Sequence, residues 1–180
     1  GYRPHAIVHR TLYDHPLSAP LFRGLGMLPG DGPELDAAVA RGEHIIVTPG
    51  GTREGLRSVR HRHAVRWGGR VGYLRLALRL GLRIVPVAAY GTDHTFIGLN
   101  DGEATARRLR LPPGYPAWFG VGLGGLWPLA LPFPARFRQI VGAPLDPAAG
   151  GLTADAPRDA LLPLHREVAR AVQALLDRHR

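Results

Sequence analysis

The chain has 180 residues, 45% of them hydrophobic, which is enough to build the buried core of a globular protein. It has no cysteine, so disulfides and cysteine-based metal sites are excluded. The formal net charge is +9, and all 23 basic residues are arginine. Such a surplus favours phosphate-bearing partners: nucleic acid, an anionic membrane or a cofactor such as coenzyme A.

Short β-forming runs alternate with helical patterns along the chain. The runs are residues 5–8, 43–48, 83–90 and 138–141. One helix is predicted from a cap at Asp31 to a breaker at Gly42, and another covers residues 69–80. A C-terminal helix places five apolar residues on one face: Leu161, Leu164, Val168, Val172 and Leu175. This alternation predicts an α/β fold with a mixed or mostly parallel sheet flanked by helices, in one domain over residues 1–180.

The stretch Val47–Gly55 carries the strongest chemical signal. It follows a run of β-formers and reads Val-Thr-Pro-Gly-Gly-Thr-Arg-Glu-Gly. Glycines allow a sharp turn and a close approach to a ligand, and an arginine binds phosphate or carboxylate through a planar fork of donors. The pattern therefore predicts an anion site made by Gly50, Gly51, Thr52 and Arg53, with Glu54 paired to Arg53 or to a nearby arginine. An ordinary turn with a surface arginine is the alternative.

Positive charge is concentrated between Arg53 and Arg83, where nine arginines occur. Aromatic residues are sparse there, so the stacking platforms of nucleic-acid binders are not evident, and we predict no nucleic-acid partner. His61, His63, Asp93 and His94 invite a metal interpretation. A His-x-His pair between arginines is a poor cation site, so we predict no metal.

Residues 115–133 form an apolar, uncharged stretch of 19 residues. Its many glycines and prolines make a membrane-spanning helix unfavourable. We expect a loop or broken helix at the membrane interface, with Trp118 and Trp127 at the level of the lipid headgroups. Two alternatives remain open: the stretch lines an acyl-chain tunnel, or it packs on the protein core.

Four segments between Arg3 and Asp93 resemble the glycerolipid acyltransferase superfamily, and most closely its diacylglycerol-acyltransferase-like branch. Residues 48–54 are similar to its Pro-Glu-Gly-Thr-Arg motif, with Gly50 at the usual Glu position and Glu54 displaced, as in that branch. Residues 84–87 match its Val-Pro motif, and residues 26–29 and 66–72 fit the segments around them. The resemblance implies a glycerol-3-phosphate acyltransferase-like fold.

The resemblance also implies a catalytic His-x4-Asp pair. His9 and Asp14 fit this pattern, but they follow an Arg-Pro-bearing strand that the family's pair precedes. They are therefore minor candidates. We expect the real pair to lie upstream of Gly1, in a longer protein, and the 180-residue chain to be inactive by itself.

The implied function is transfer of a fatty acyl group from a thioester, acyl-CoA or acyl-ACP, to a lipid alcohol such as a glycerolipid. No bound cofactor is expected. A histidine oriented by an aspartate would take the alcohol's proton. The arginine-rich region and residues 115–133 together imply peripheral association with an anionic membrane surface, on its cytoplasmic face. The alternatives are a catalytically inactive lipid- or phosphate-binding relative and a nucleotide- or polyanion-binding α/β domain.

Overall fold

The computed structural model describes residues 4–8, 13, 16, 19–111 and 117–178. The chain divides into two compact units, residues 1–48 and residues 49–180. The α/β class is confirmed. The described strands do not form one sheet, however. They form three small ones, a parallel sheet in the first unit and two antiparallel sheets in the second.

The first unit contains strands β1 (Pro4–Val8), β2 (Leu28–Pro29) and β3 (His44–Ile46), and helices α1 (Ala19–Gly24) and α2 (Pro33–Ala40). Strand β1 lies between β2 and β3 and is parallel to both. Helix α2 joins β2 to β3 and buries Leu35 and Ala38 completely.

The predicted helix start at Asp31 is wrong by one residue. Gly32 occupies the N-cap position with φ 118°, a backbone conformation open mainly to glycine, and no side chain caps the helix. Pro33 stands in the first turn, as expected.

The second unit is built on the C-terminal helix. It comprises α3 (Thr52–Gly55), α4 (Gly72–Arg79), β4 (Val87–Tyr90), β5 (Ile97–Gly98), α5 (Gly102–Arg108), β6 (Gly120–Gly122), β7 (Gly125–Leu126), β8 (Arg138–Val141) and α6 (Arg158–Asp177). Short 3₁₀ turns cover Val59–His61 and Thr92–His94. Strands β4 and β8 pair antiparallel, and α6 packs against both.

The core of the second unit lies between α4 and α6. Leu74 of α4 and Leu161 of α6 are fully buried there, and Val168 nearly so. The apolar face predicted for α6 is therefore confirmed, with His165 as an unexpected buried member. The predicted strand 83–90 is shorter than expected because Pro86 has no N–H to donate, and β4 begins at Val87.

The apolar stretch 115–133 is neither a helix nor a simple loop where it is described. Residues 120–126 form the β6–β7 hairpin, and β6 also pairs with β5. Trp118 is only 8% exposed, and its ring fills the space that a side chain on Gly120 would need. The prediction of Trp118 at headgroup level is thus wrong, because Trp118 packs inside the protein.

Other apolar side chains on and beside this hairpin are exposed. Leu129 is 94% exposed, and the exposed set also includes Phe119, Leu123, Leu126, Trp127 and Leu131. Among the described residues, no helix is both long and apolar enough to cross a bilayer.

Candidate substrate-binding site

The predicted loop forms a tight turn that leads directly into α3. Gly50 is buried, and Gly51 has φ 52° with ψ −139°, a conformation that favours glycine. A β-carbon on Gly50 would lie 2.4 Å from the Glu54 carboxylate. The two glycines therefore allow Glu54 to fold back under the turn, and Thr52 and Arg53 begin the helix above it.

Glu54 points into the protein and holds a second loop. Its Oε2 accepts a hydrogen bond of 2.8 Å from Trp67 Nε1, and its Oε1 accepts one of 3.3 Å from the Arg66 backbone N–H. Arg57 Nη1 lies 3.6 Å away. The predicted pairing with a nearby arginine is confirmed for Arg57 and wrong for Arg53, because the carboxylate is turned toward residues 66–67.

Arg53 is left with no hydrogen bond or ion pair among the residues that the structure describes. Its guanidinium lies against Gly68, where an added β-carbon would come within 2.9 Å of Nη1. Gly68 has φ 67°, a backbone conformation that favours glycine, and the absent side chain leaves room for the Arg53 guanidinium. A half-buried guanidinium with all its donors unused is suited to binding an anion.

The loop 66–70 is fixed from below by α6. His165, 3% exposed, lies with Nε2 2.6 Å from the Gly68 carbonyl oxygen and Nδ1 3.2 Å from the Tyr73 hydroxyl. Because the carbonyl can only accept, Nε2 carries the proton and Nδ1 accepts from Tyr73. Burial raises the pKa of Tyr73, so this hydroxyl keeps its proton and remains a donor.

Sequence reasoning missed His165. Its partner Gly68 lies 97 residues away in the sequence, so no local pattern reveals the contact. The one available signal was a histidine within the apolar stripe of α6, which more often means a satisfied buried histidine than a functional one.

Two aspartates hold the segment 57–66 that leads into this loop. Asp93 accepts from Arg57 Nε at 2.9 Å and from the His63 backbone N–H at 2.8 Å. Asp101 accepts from the Ser58 backbone N–H at 2.9 Å and from Arg66 Nη1 at 2.7 Å.

Burial of Asp101 opposes its ionisation. The hydrogen bonds from Ser58 and Arg66 outweigh that effect and hold the pKa of Asp101 below its ordinary value of 3.8. Its carboxylate is therefore ionised over the whole neutral range.

The histidines considered as metal ligands make other contacts. His61 Nδ1 lies 3.2 Å from Asp101, and His63 stacks on Tyr90 and meets the edge of His94. Within the described ranges, no three His, Asp or Glu side chains are close enough together to hold a metal ion.

The arginine-rich region 53–83 is not one solvated face. Arg57 and Arg66 bind the two aspartates, and Arg75 Nη1 donates to the Ala154 carbonyl at 2.7 Å. Arg53 instead lies against Gly68, and Arg70 donates to the Gly50 carbonyl at the other glycine turn. The structure thus separates structural arginines from those that are available to a ligand. The catalytic candidates His9 and Asp14 lie outside the described residues.

Comparison with known proteins identifies the family. The sequence profile described as diacylglycerol acyltransferase matches residues 25–180, which include the whole glycine–arginine loop. A chicken (Gallus gallus) protein named "DGAT1/2-independent enzyme synthesizing storage lipids" is 28% identical over 160 residues, 86% of this chain and 41% of the relative. Human (Homo sapiens) "2-acylglycerol O-acyltransferase 3" is 31% identical over 99 residues, 53% of this chain and 29% of the relative.

This chain therefore spans less than half the length of both relatives. No solved structure matches it. The profile match covers most of the chain, and its residues include the four side chains that distinguish the site: Arg53, Glu54, Trp67 and His165. On this evidence the chain belongs to the diacylglycerol acyltransferase family of O-acyltransferases.

Proposed function

We propose that the protein containing this chain transfers a fatty acyl group from acyl-CoA to the hydroxyl of a neutral acylglycerol. The observation that carries the proposal is the family match over residues 25–180, supported by a relative named for acylation of 2-acylglycerol. Arg53, which has no partner among the described residues and lies at a glycine turn, agrees with a substrate that carries phosphate.

The reaction is a direct acyl exchange. A base removes the proton of the acceptor hydroxyl, the oxygen attacks the thioester carbonyl, and the carbon–sulfur bond breaks to release coenzyme A as a thiol. In the proposed scheme a His-x4-Asp pair supplies the base. The loop around Gly50, Gly51 and Thr52 contributes donors to the substrate's negative charge, and Glu54 holds the loop in place.

The test is an assay of the gene product that contains this sequence, with radiolabelled acyl-CoA and either 2-monoacylglycerol or diacylglycerol. We expect a labelled, more highly acylated glyceride with acyl-CoA and much less with acyl-ACP. A folded protein that binds coenzyme A and forms no product with either donor would instead be the catalytically inactive relative. Product formed only from acyl-ACP would overturn the choice of donor.

We further propose peripheral association with an anionic membrane surface, at its cytoplasmic face. The support is the exposed apolar set on and beside the β6–β7 hairpin, which is unusual for a surface in contact with water alone. Cytoplasmic leaflets are anionic and attract arginine-rich surfaces, each basic residue adding about 1 kcal/mol near the membrane.

Vesicle sedimentation tests this association. We expect binding to anionic vesicles that weakens in high salt and falls when Leu129 and Leu131 are changed to Ser. The matched control is Trp118→Phe, which changes a buried residue of the same segment and leaves the exposed side chains in place. Equal sedimentation of the Leu129/Leu131 double variant and the native protein would remove the hairpin from the membrane contact.

A further inference from the structure

We propose that Arg53, Arg70 and Arg158 together form one binding site for the phosphate groups of coenzyme A. The three guanidinium groups come from α3, from the loop before α4 and from the first residue of α6. The identity of the ligand rests on the proposed function, whereas the site itself rests on geometry.

The three guanidinium groups gather over two glycine turns. Arg70 Nη1 donates to the Gly50 carbonyl at 3.0 Å and lies 2.9 Å from the position of a β-carbon on Gly51. Arg53 reaches Gly68, and Arg158 Nη2 donates to the carbonyl of the adjacent Gly69 at 3.3 Å. Arg53, which follows the first turn, thus contacts the second turn, and Arg70, which follows the second turn, contacts the first. These crossed contacts, together with Arg158, bring the three positive groups to the same pair of turns.

Most of their donors are unused. A guanidinium has five N–H donors; Arg70 and Arg158 each give one to a carbonyl, and Arg53 gives none to a described residue. Among the described residues, one carboxylate forms an ion pair with these three guanidinium groups, which leaves a net positive charge. Glu54 is occupied by Trp67 and by the Arg66 backbone, and Glu103 lies 3.8 Å from Arg70 Nη2.

Coenzyme A fits this site better than the acyl acceptor does. The human relative is named for a 2-acylglycerol acceptor, and an acylglycerol carries no charge. The donor carries a diphosphate and a ribose 3′-phosphate, which need several positive groups. Phosphates of an anionic membrane surface have the same chemistry, and the experiment separates the two sources.

The glycines provide a second way to perturb the site. A β-carbon on Gly69 would lie 2.2 Å from Arg158 Nη2, so Gly69→Ala displaces the Arg158 guanidinium without removing its charge. Gly69 does not have a positive φ, and the atoms in the way are at the end of a flexible side chain. The substitution therefore leaves the backbone unstrained.

The experiment measures binding of coenzyme A, dephospho-coenzyme A and pantetheine to the gene product by calorimetry. We expect Arg70→Gln, Arg158→Gln and Gly69→Ala each to weaken coenzyme A binding about three- to fivefold, as expected for exposed charges, and Arg53→Gln to weaken it about tenfold or more. Pantetheine, which has no phosphate, should bind equally weakly to all variants. Arg166→Gln removes the same charge from an exposed position of α6 and should bind coenzyme A as the native protein does.

Equal affinity of the Arg70, Arg158 and Arg166 variants for coenzyme A would overturn the inference. The inference would also be overturned if the native protein bound pantetheine as tightly as coenzyme A. A third contradictory outcome is that the arginine variants lose binding to anionic vesicles but retain binding to coenzyme A. The two proposals fail separately. Arginine-dependent binding of coenzyme A without acyl transfer would preserve the site and reject the function, and acyl transfer that is insensitive to Arg70 and Arg158 would do the reverse.

Discussion

Two sets of charged groups near the loop 66–70 differ in how they are satisfied. We call the contacts of Asp93 and Asp101 the closed side, and the arginines Arg53, Arg70 and Arg158 the open side. On the closed side, Asp93 and Asp101 each accept hydrogen bonds from an arginine side chain and from a backbone N–H. On the open side, Arg53 has no partner among the described residues, and Arg158 donates to the Gly69 carbonyl. Arg70 donates to the Gly50 carbonyl and forms an ion pair of 3.8 Å with Glu103. Arginines of the same sequence region thus have different surroundings.

The difference shows how a fixed loop and an available site can share one segment. Ion pairs that are complete within the protein hold residues 57–66 in place but leave little capacity for a ligand. The open side keeps a net positive charge, because Glu103 is the one carboxylate among the described residues that pairs with its three arginines. Perturbing the closed side should therefore reduce stability, and perturbing the open side should reduce function.

The largest effect is expected from His165→Ala, which removes the support of the loop. The substitution leaves the Gly68 carbonyl without a donor and opens a cavity among buried residues. We expect the free energy of unfolding, measured by urea denaturation, to fall by about 2–4 kcal/mol. Arg166→Ala, at the next and exposed position, is the control, and comparable destabilisation by both variants would contradict the assigned role.

Arg53→Ala probes the open side. Loss of one charge-assisted contact costs about 1.5–3 kcal/mol or more, so we expect kcat/KM of the gene product for acyl-CoA to fall about ten- to a thousandfold. The free energy of unfolding should change by less than about 0.5 kcal/mol, because Arg53 bonds to no described residue. Arg53→Lys should restore activity only in part because the planar fork is lost. Unchanged kinetics of a folded Arg53→Ala protein would remove this loop from the site.

Glu54→Ala should destabilise the turn at residues 50–54, because it removes the carboxylate that connects this turn to Arg66 and Trp67. Trp67 Nε1 and the Arg66 N–H would both lose their acceptor, at a cost of about 1–3 kcal/mol in unfolding free energy. Glu54→Gln retains one acceptor oxygen and should be milder. Urea denaturation of both variants and of the native protein measures the effect. A Glu54→Ala midpoint equal to the native one would mean that the carboxylate does not stabilise this loop.

Asp101 gives the smallest effect, and it depends on pH. The pKa of Asp101 is lower in the folded chain than its ordinary value of 3.8 in the unfolded chain. Its contribution to stability is therefore complete above about pH 3.8 and is lost as the pH falls below that value. Partial exposure of the pair keeps the contribution below about 1 kcal/mol. Asp101→Asn should therefore reduce stability at pH 7 and matter less at pH 3. Thermal unfolding at both values measures the difference.

Local patterns in the sequence predicted much of this arrangement. The glycine–arginine turn, helices α2, α4 and α6 and strands β1 and β8 depend on residues close to one another in sequence. The direction of Glu54 was not predictable in the same way, because it is decided by Trp67, which is 13 residues further along the chain. The role of His165 depends on a still longer separation. So does the burial of Trp118, whose Nε1 donates to the Arg57 backbone carbonyl. The separation of structural from available arginines also required the contacts of each side chain, since residue type and spacing are alike in both groups.

The three arginines at the glycine turns share one further property. A guanidinium stays protonated at every pH at which a protein remains folded. Acidity therefore cannot switch off this cluster as it would a site built on histidine, and ionic strength is the variable that weakens it. Loss of anion binding in acid would report protonation of the ligand's phosphates or unfolding of the chain, and not titration of the site.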